Sequence, residues 1–248
     1  MFDKTSLREM TPAQFAALHK RPKITPLERT GTPLASFAQR RLWFLAQLAG
    51  GGGAYHIPLG LQLRGPLDRS ALKRALDRLV ARHESLRTTF AAHDDEVVQV
   101  IAEPGRGFDW QIHDLVDHPE AEARITVLTE EEADAPFDLK QGPLFRGRLL
   151  IVGEQEHVLL LTLHHIICDG WSMAVLTREL GELYDAFRQD LDDPLPAPAL
   201  QYADYCEWQR RWLLDNTQAD HGAYWRDTLA GAPTLLELPG DRPRPVLP

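Results

Sequence analysis

The sequence predicts an α/β fold, a two-layer α/β sandwich built on a mixed sheet. Three observations carry this. Apolar runs with strand spacing alternate with helical patterns from about Pro33 onward. Residues 145–152 and 158–163 flank Gly153-Glu154-Gln155-Glu156, the pattern of a β-hairpin. The second of these runs (Val158-Leu159-Leu160-Leu161-Thr162-Leu163) is almost wholly apolar, which suits a strand covered on both faces, so it belongs in the middle of the sheet. No Gly-rich phosphate loop follows a strand, which argues against a nucleotide-binding fold.

The elements follow in order. Thr11-Pro12-Ala13-Gln14 has a capping-box form with Pro at the first helical position, predicting a short helix to about His19. Pro22, Pro26 and Pro33 then interrupt regular structure, so residues 1–33 form an N-terminal helix and linker. A plain linker and a docking segment for an upstream protein are both open readings of that stretch. Ser36 and Gln39 repeat the capping box and start a helix carrying Leu42, Leu45 and Leu48, which Gly50 to Gly53 end in a loop. Ile57, Leu59, Leu61 and Leu63 alternate, a strand with one buried face. Asp68 caps a helix with Leu72, Ala75, Leu76, Leu79 and Val80 on one side.

Short strands are expected over residues 86–90, 96–101 and 108–112, the first two joined around Asp94-Asp95. A polar helix follows over residues 119–133, with Glu130-Glu131-Glu132 as a solvated face. After the hairpin, Ser172 is the expected cap of a long helix bearing Val175, Leu176, Leu180, Leu183 and Phe187. Pro194, Pro196 and Pro198 separate it from helices near 202–214 and 219–229, and residues 239–245 form an extended exit.

A chain of 248 residues buries a full core and fits one large domain or two small ones. With 44% hydrophobic and 25% charged residues it belongs with ordinary globular proteins rather than disordered ones. A formal charge of −9 argues against nucleic acid or an anionic membrane as the main partner. No apolar run approaches the ~20 residues a bilayer span needs, and no basic region leads into an apolar stretch, so no signal peptide is visible. Cys168 and Cys206 form no metal-ligand or CxxC spacing, and a reduced, cytoplasmic setting is expected.

His164-His165-Ile166-Ile167-Cys168-Asp169-Gly170-Trp171-Ser172 is the most informative stretch. A strand that ends in His-His and turns through Asp-Gly into a helix leaves an imidazole at the end of a rigid element. There it can exchange a proton with a substrate near neutral pH. Adjacent strand residues point to opposite faces, so one ring is packed and the other available. The alternative is two satisfied histidines closing a strand.

The spacing HHxxxDG resembles the signature of the condensation domain of nonribosomal peptide synthetases, in the superfamily of chloramphenicol acetyltransferase. Three further stretches fall in that family's order. Ser36-Phe37-Ala38-Gln39-Arg40-Arg41-Leu42-Trp43-Phe44-Leu45 resembles its first motif, and Arg82-His83-Glu84-Ser85-Leu86-Arg87-Thr88-Thr89-Phe90 its second. Tyr202-Ala203-Asp204-Tyr205-Cys206-Glu207-Trp208 resembles its fourth.

The resemblance implies a chloramphenicol acetyltransferase-like lobe over residues 34–235, the N-terminal one of two. Residues 236–248 would then lead toward a C-terminal lobe beyond this sequence. Donor and acceptor carrier proteins of neighbouring synthetase modules would bring thioesters on phosphopantetheine arms, with no cofactor bound directly. His165 would be presented to the channel as base or as an orienting group, and the Gly170 N–H would face an oxyanion or simply serve the backbone turn. His164, Asp169, Arg82 and Arg87 would support the catalytic loop, Asp169 through an arginine partner. Cys168, where the family usually has Ser, would not be a nucleophile. Trp43, Tyr202, Tyr205 and Trp208 would pack, with Asp204 satisfying a buried partner among them. A related acyltransferase or an epimerisation domain, which shares the HHxxxDG motif, is an alternative, as is a non-catalytic docking or scaffold module, since only one lobe's walls of the channel would be present.

Overall fold

A computed structural model describes residues 23–26, 31–48, 53–214 and 218–233. The expected helix at 11–19, Gly50 to Gly52 and the exit segment 239–245 lie outside them. In chain order the elements are α1 (Phe37–Leu48), a 3₁₀ turn (Gly53–Tyr55), β1 (His56–Arg64), α2 (Arg69–Arg82), a 3₁₀ turn (Glu84–Arg87), β2 (Thr88–His93), β3 (Glu96–Ile101), β4 (Asp109–Asp114), α3 (Ala121–Asp134), β5 (Phe145–Gly153), β6 (Glu156–His164), α4 (Gly170–Phe187), α5 (Tyr202–Trp212) and α6 (Gln218–Thr228). The fold is the mixed α/β class that the sequence predicts.

β6 lies between β1 and β5, and β4 completes a sheet ordered β1-β6-β5-β4. β6 is antiparallel to both neighbours, while β4 runs parallel to β5, so the sheet is mixed. The strand parity divides the core. Leu149, Leu159, Leu161 and Leu163 face the main cluster with α2 and α4, whereas Leu150 and Leu160 meet Leu115 and Leu128 under α3. Cover on both faces explains the apolar run that put this strand in the middle. β2 and β3 pair as a separate ribbon, closed by Asp94 and Asp95 at φ 46° and 63°, the double left-handed geometry of a tight hairpin turn.

Local capping follows the side chains. Asp68 accepts from the Ala71 N–H at 2.9 Å and starts α2. At α1, the Ser36 N–H donates to Gln39 Oε1 (2.9 Å) and the Gln39 N–H to Ser36 Oγ (3.1 Å), a reciprocal capping box.

Three expectations are corrected. Residues 84–87 form a 3₁₀ turn rather than the start of a strand, because Thr88 Oγ1 closes the turn onto the Glu84 carbonyl at 2.6 Å. Ser172 is not the cap of α4, which belongs to Asp169. The Glu130–Glu132 run is not uniformly solvated. Glu132 is buried and lies 3.0 Å from Arg146 Nε and 2.9 Å from Arg148 Nε, so the sheet supplies its counter-ions.

The described residues through Gln209 belong to one compact unit and those from Arg210 to a second, so the 34–235 stretch spans this division. In the second unit α6 exposes Tyr224 and Trp225. Among the described residues no helix is long and apolar enough to cross a membrane.

Gly147, in mid-β5, tests the closeness of the central strands. A Cβ there would fall well inside contact with the Leu160 carbonyl oxygen, a backbone atom that cannot move alone, and 2.9 Å from Leu161 Cδ2. Gly147→Ala is expected to lower the free energy of urea unfolding by roughly 1–3 kcal/mol. An unchanged midpoint would show that the sheet opens more easily than this packing implies.

Candidate active site

The site is built where β6 stops. His164 is the last strand residue, and its N–H still donates to the Leu144 carbonyl at 3.0 Å. The chain then turns through 165–168 and enters α4. The two imidazoles separate at this point. His164 is 5% exposed, whereas His165 is exposed.

The His164 ring is hydrogen-bonded through Nδ1 and packed among aromatic rings. Its Nδ1 accepts from the Ile166 N–H at 3.0 Å, which leaves the proton of the neutral ring on Nε2. Phe137 stands edge-on to it at 6.0 Å and His56 at 6.1 Å. Burial, followed by the neighbouring His56 and His165, pushes its pKa down to about 4. Its work is to shape the turn.

His165 is held by its backbone instead, donating to the Tyr55 carbonyl at 2.8 Å. Its ring borders an open groove of about 450 Å³ shared with Arg41, Leu42, Leu45, Tyr55 and Tyr202. The groove is lined along α1 by Ala38, Leu42 and Leu45 beside the charged Arg41, and at the motif by both apolar and polar residues. Tyr202 closes it with its hydroxyl 3.1 Å from Ser36 Oγ, and burial of the phenol pushes its pKa up to about 12.

Asp169 does not pair with an arginine among the described residues. Its Oδ1 accepts from the Ser172 N–H (2.9 Å) and Ser172 Oγ–H (2.7 Å), while the Asp169 N–H donates to Ser172 Oγ at 3.3 Å. Within the described residues its bonds are those of a helix cap. The Ser172 hydroxyl and backbone bonds hold the carboxyl below its usual range. Gly170 follows as the first residue of α4, with φ outside the left-handed region and nothing within 4 Å of where a Cβ would stand. The backbone therefore does not demand glycine here, and the space over the first turn is open.

Cys168 is buried, its thiol lies 3.8 Å from the His164 carbonyl, and burial pushes it up to about 12. A thiol so raised is not a thiolate at neutral pH, and it lacks the activation a nucleophile requires.

The arginines of the second motif separate. Arg82 Nε lies 3.0 Å from Glu179 Oε2 on α4, and His83 Nε2 lies 2.6 Å from the same oxygen. Burial alone would raise the Glu179 carboxyl, but the His83 and Arg82 bonds and charges outweigh it and hold it low. Arg82 thus braces the helix behind the motif, not the loop itself. Arg87 does neither. It donates to the Ala102 carbonyl and lies 3.7 Å from Glu84, on the β2–β3 side, because the 3₁₀ turn carries it away from α4.

Of the aromatics, Trp43 is buried against Phe90, and Tyr205 stacks between Tyr202 and Trp208. Asp204 is buried and accepts from the Gln201 N–H at 2.7 Å. Two glutamines were not anticipated as part of the site. Gln39 donates to the Ile166 carbonyl at 3.2 Å, and Gln201 joins the Glu84 N–H to the Arg82 carbonyl, both at 3.1 Å. Gln39 stood inside a recognised motif, but its capping role masked the second bond. Gln201 carried no sequence signal.

The depressed His164 pKa makes stability depend on pH. A free imidazole, pKa near 6.5, takes its proton before the folded one does, so unfolding is favoured progressively as pH falls from about 6.5 to about 4. The full window is worth about 3 kcal/mol. His164→Asn, whose Oδ1 can replace Nδ1 as acceptor, is expected to flatten urea stability between pH 7 and 5 relative to the parent. Identical pH slopes in the two proteins would rule out His164 as the source.

The sequence profile of the condensation domain matches residues 30–247. Malpibaldin synthetase of Mortierella alpina is 49% identical over 223 residues, which cover 90% of this chain and 4% of the synthetase. The X-domain of teicoplanin biosynthesis is 33% identical with a TM-score of 0.78, covering 92% of this chain and 50% of that one. The starter condensation domain of rhizomide synthetase RzmA, at 22% identity and a TM-score of 0.75, shares the fold over 83% of this chain and 49% of its own. The chain therefore spans half the length of these solved domains and a small fraction of the synthetase. With the HHxxxDG turn at the end of its central strand, the chain belongs to the condensation-domain family of nonribosomal peptide synthetases.

Proposed function

We propose that this chain is the N-terminal lobe of a condensation domain that joins two carrier-bound substrates through an amide bond. The observation that carries the reading is the contrast within one dipeptide: His164 buried and neutral, His165 exposed on the groove just past the end of the central strand β6. The donor is an acyl or peptidyl thioester and the acceptor the α-amine of an aminoacyl thioester, each on a phosphopantetheine arm. Free α-amines titrate at about 7.7–8.0, so the nucleophile exists without help at cellular pH. The amine attacks the thioester carbonyl carbon, and its N–H becomes acidic as the C–N bond forms. His165 accepts that proton or holds the amine in line, the C–S bond breaks, and the thiol of the donor arm leaves. The open space at Gly170 gives a developing oxyanion room to approach the Gly170 N–H at the start of α4. Cys168 takes no part, since the thioester is already activated.

In the complete two-lobe protein, His165→Ala is expected to slow dipeptide formation by roughly 10²–10⁴-fold. Folding should be unchanged, because an exposed ring leaves no core cavity. Near-normal turnover by a folded variant would remove His165 from the mechanism.

Residues 1–248 alone are expected to fold without catalysing condensation, because orientation of two tethered substrates needs walls on both sides of the groove. The direct comparison supplies loaded donor and acceptor carrier proteins to this chain and to the chain extended through a second lobe. Equal amide formation by both would overturn the half-site reading.

A further inference from the structure

Ile166 follows the proposed catalytic histidine and is 3% exposed. Its carbonyl lies in a turn whose N–H groups are bonded both within the turn and to the chain before β1. The Ile166 N–H bonds the His164 ring, the Ile167 N–H bonds the His164 carbonyl at 3.0 Å, and the His165 N–H bonds Tyr55. The Ile166 carbonyl accepts from the side chain of Gln39, 127 residues earlier in the chain. Gln39 is itself buried at 2% exposure.

The orientation of that amide is decided by its two ends. The Ser36 N–H can only donate, so it requires Oε1, and the Ile166 carbonyl can only accept, so it requires Nε2. The side chain must therefore offer an acceptor and a donor at once, at the end of two methylenes. Glutamate lacks the donor when ionised, lysine lacks the acceptor, and asparagine is one methylene short. Leaving the buried carbonyl unpaired would cost about 1–3 kcal/mol, enough to release the turn into other conformations.

We propose that Gln39 is a positioning residue for His165, fixing the peptide after the histidine so that its ring faces the groove. The inference rests on the proposed role of His165 and adds a residue on α1 that acts only through it. The thiol of Cys206, 3.8 Å from Gln39 Oε1, and the Tyr202 phenol beyond Ser36 are the nearby titratable groups. Burial pushes both up to about 12, so neither ionises between pH 6 and 8.

That silence permits a specific test with Gln39→Glu. A buried carboxyl is raised well above its usual range. Protonated, it matches the amide, accepting from Ser36 and donating to Ile166. Ionised, it sets a negative charge against the Ile166 carbonyl. In the two-lobe protein, kcat of Gln39→Glu at pH 8 is expected to fall roughly 10–100-fold below the parent. At pH 6 it should return to within about 3-fold of the parent measured at the same pH, with KM for both loaded carriers little changed throughout. In residues 1–248, the His165 backbone amide resonance, which reports the bond to Tyr55, should show in Gln39→Glu a pH-dependent shift beyond the one the parent shows over the same range.

Gln39→Met keeps the length but neither polar end, and should lose kcat at both pH values. Should Gln39→Glu unfold at pH 8, its advantage over Gln39→Met at pH 6 still reads the proton-dependent bond. A variant-to-parent ratio that is the same at pH 6 and 8, a loss confined to KM, or equal activity of the two variants at pH 6 would each overturn the proposal. An inert His165→Ala with an intact resonance effect would instead sink the proposed function and leave the positioning contact standing.

Discussion

Everything at the site depends on β6 being buried on both faces and hydrogen-bonded on both edges. Such a strand cannot slide, because a one-residue shift would exchange the Leu159, Leu161 and Leu163 face for the Leu160 face. Its last residue is therefore placed with the accuracy of the core. His164 keeps the parity of Leu160, on the α3 face, and is stripped of water and stays neutral, whereas His165 emerges because the strand has ended and the chain turns.

Around this strand end the remaining motifs act as struts. α1 reaches the turn through Gln39, and reaches α5 through Ser36 and Tyr202. Gln201 holds the end of α2 to the chain entering α5. Glu179 ties α2 to α4 by way of Arg82 and His83. Removing one partner of so buried an ion pair strands a charge, which typically costs about 3–5 kcal/mol, so the brace is rigid even where its net stabilisation is small. The same logic on the other face locks Glu132 to Arg146 and Arg148 and seats α3 over the sheet. Gln39 thus holds the turn directly, while the other stretches brace the helices around it.

The electrostatics of the turn are correspondingly quiet. Cys168 is raised, His164 is lowered, and Asp169 spends its charge on a helix N-terminus. Each group that could compete for substrate or proton is neutral or already bonded, which leaves the His165 ring as the free imidazole of the HHxxxDG turn. This division suits a reaction whose electrophile is already activated and whose nucleophile needs only placement and deprotonation.

The sequence by itself determined the class of fold, the order of its elements and the turn that carries the histidines. These rest on local rules: strand and helix periodicity, Asp68 and Ser36 as caps, Asp94-Asp95 as a turn, an apolar run as a central strand. It also marked both histidines, though not by itself which of them was buried. Asp169 took a local partner, Ser172, while what Arg87, Glu132 and Gln39 bond to was decided only by tertiary structure. A carboxylate or guanidinium takes whichever partner the fold brings within about 3 Å, and that partner stands up to a hundred or more residues away. Asp169 met the helix it begins, Arg87 was swung aside by a 3₁₀ turn, and Glu132 found two arginines across the sheet. Periodicity records which face a residue occupies, and long-range polar pairing leaves no period to read.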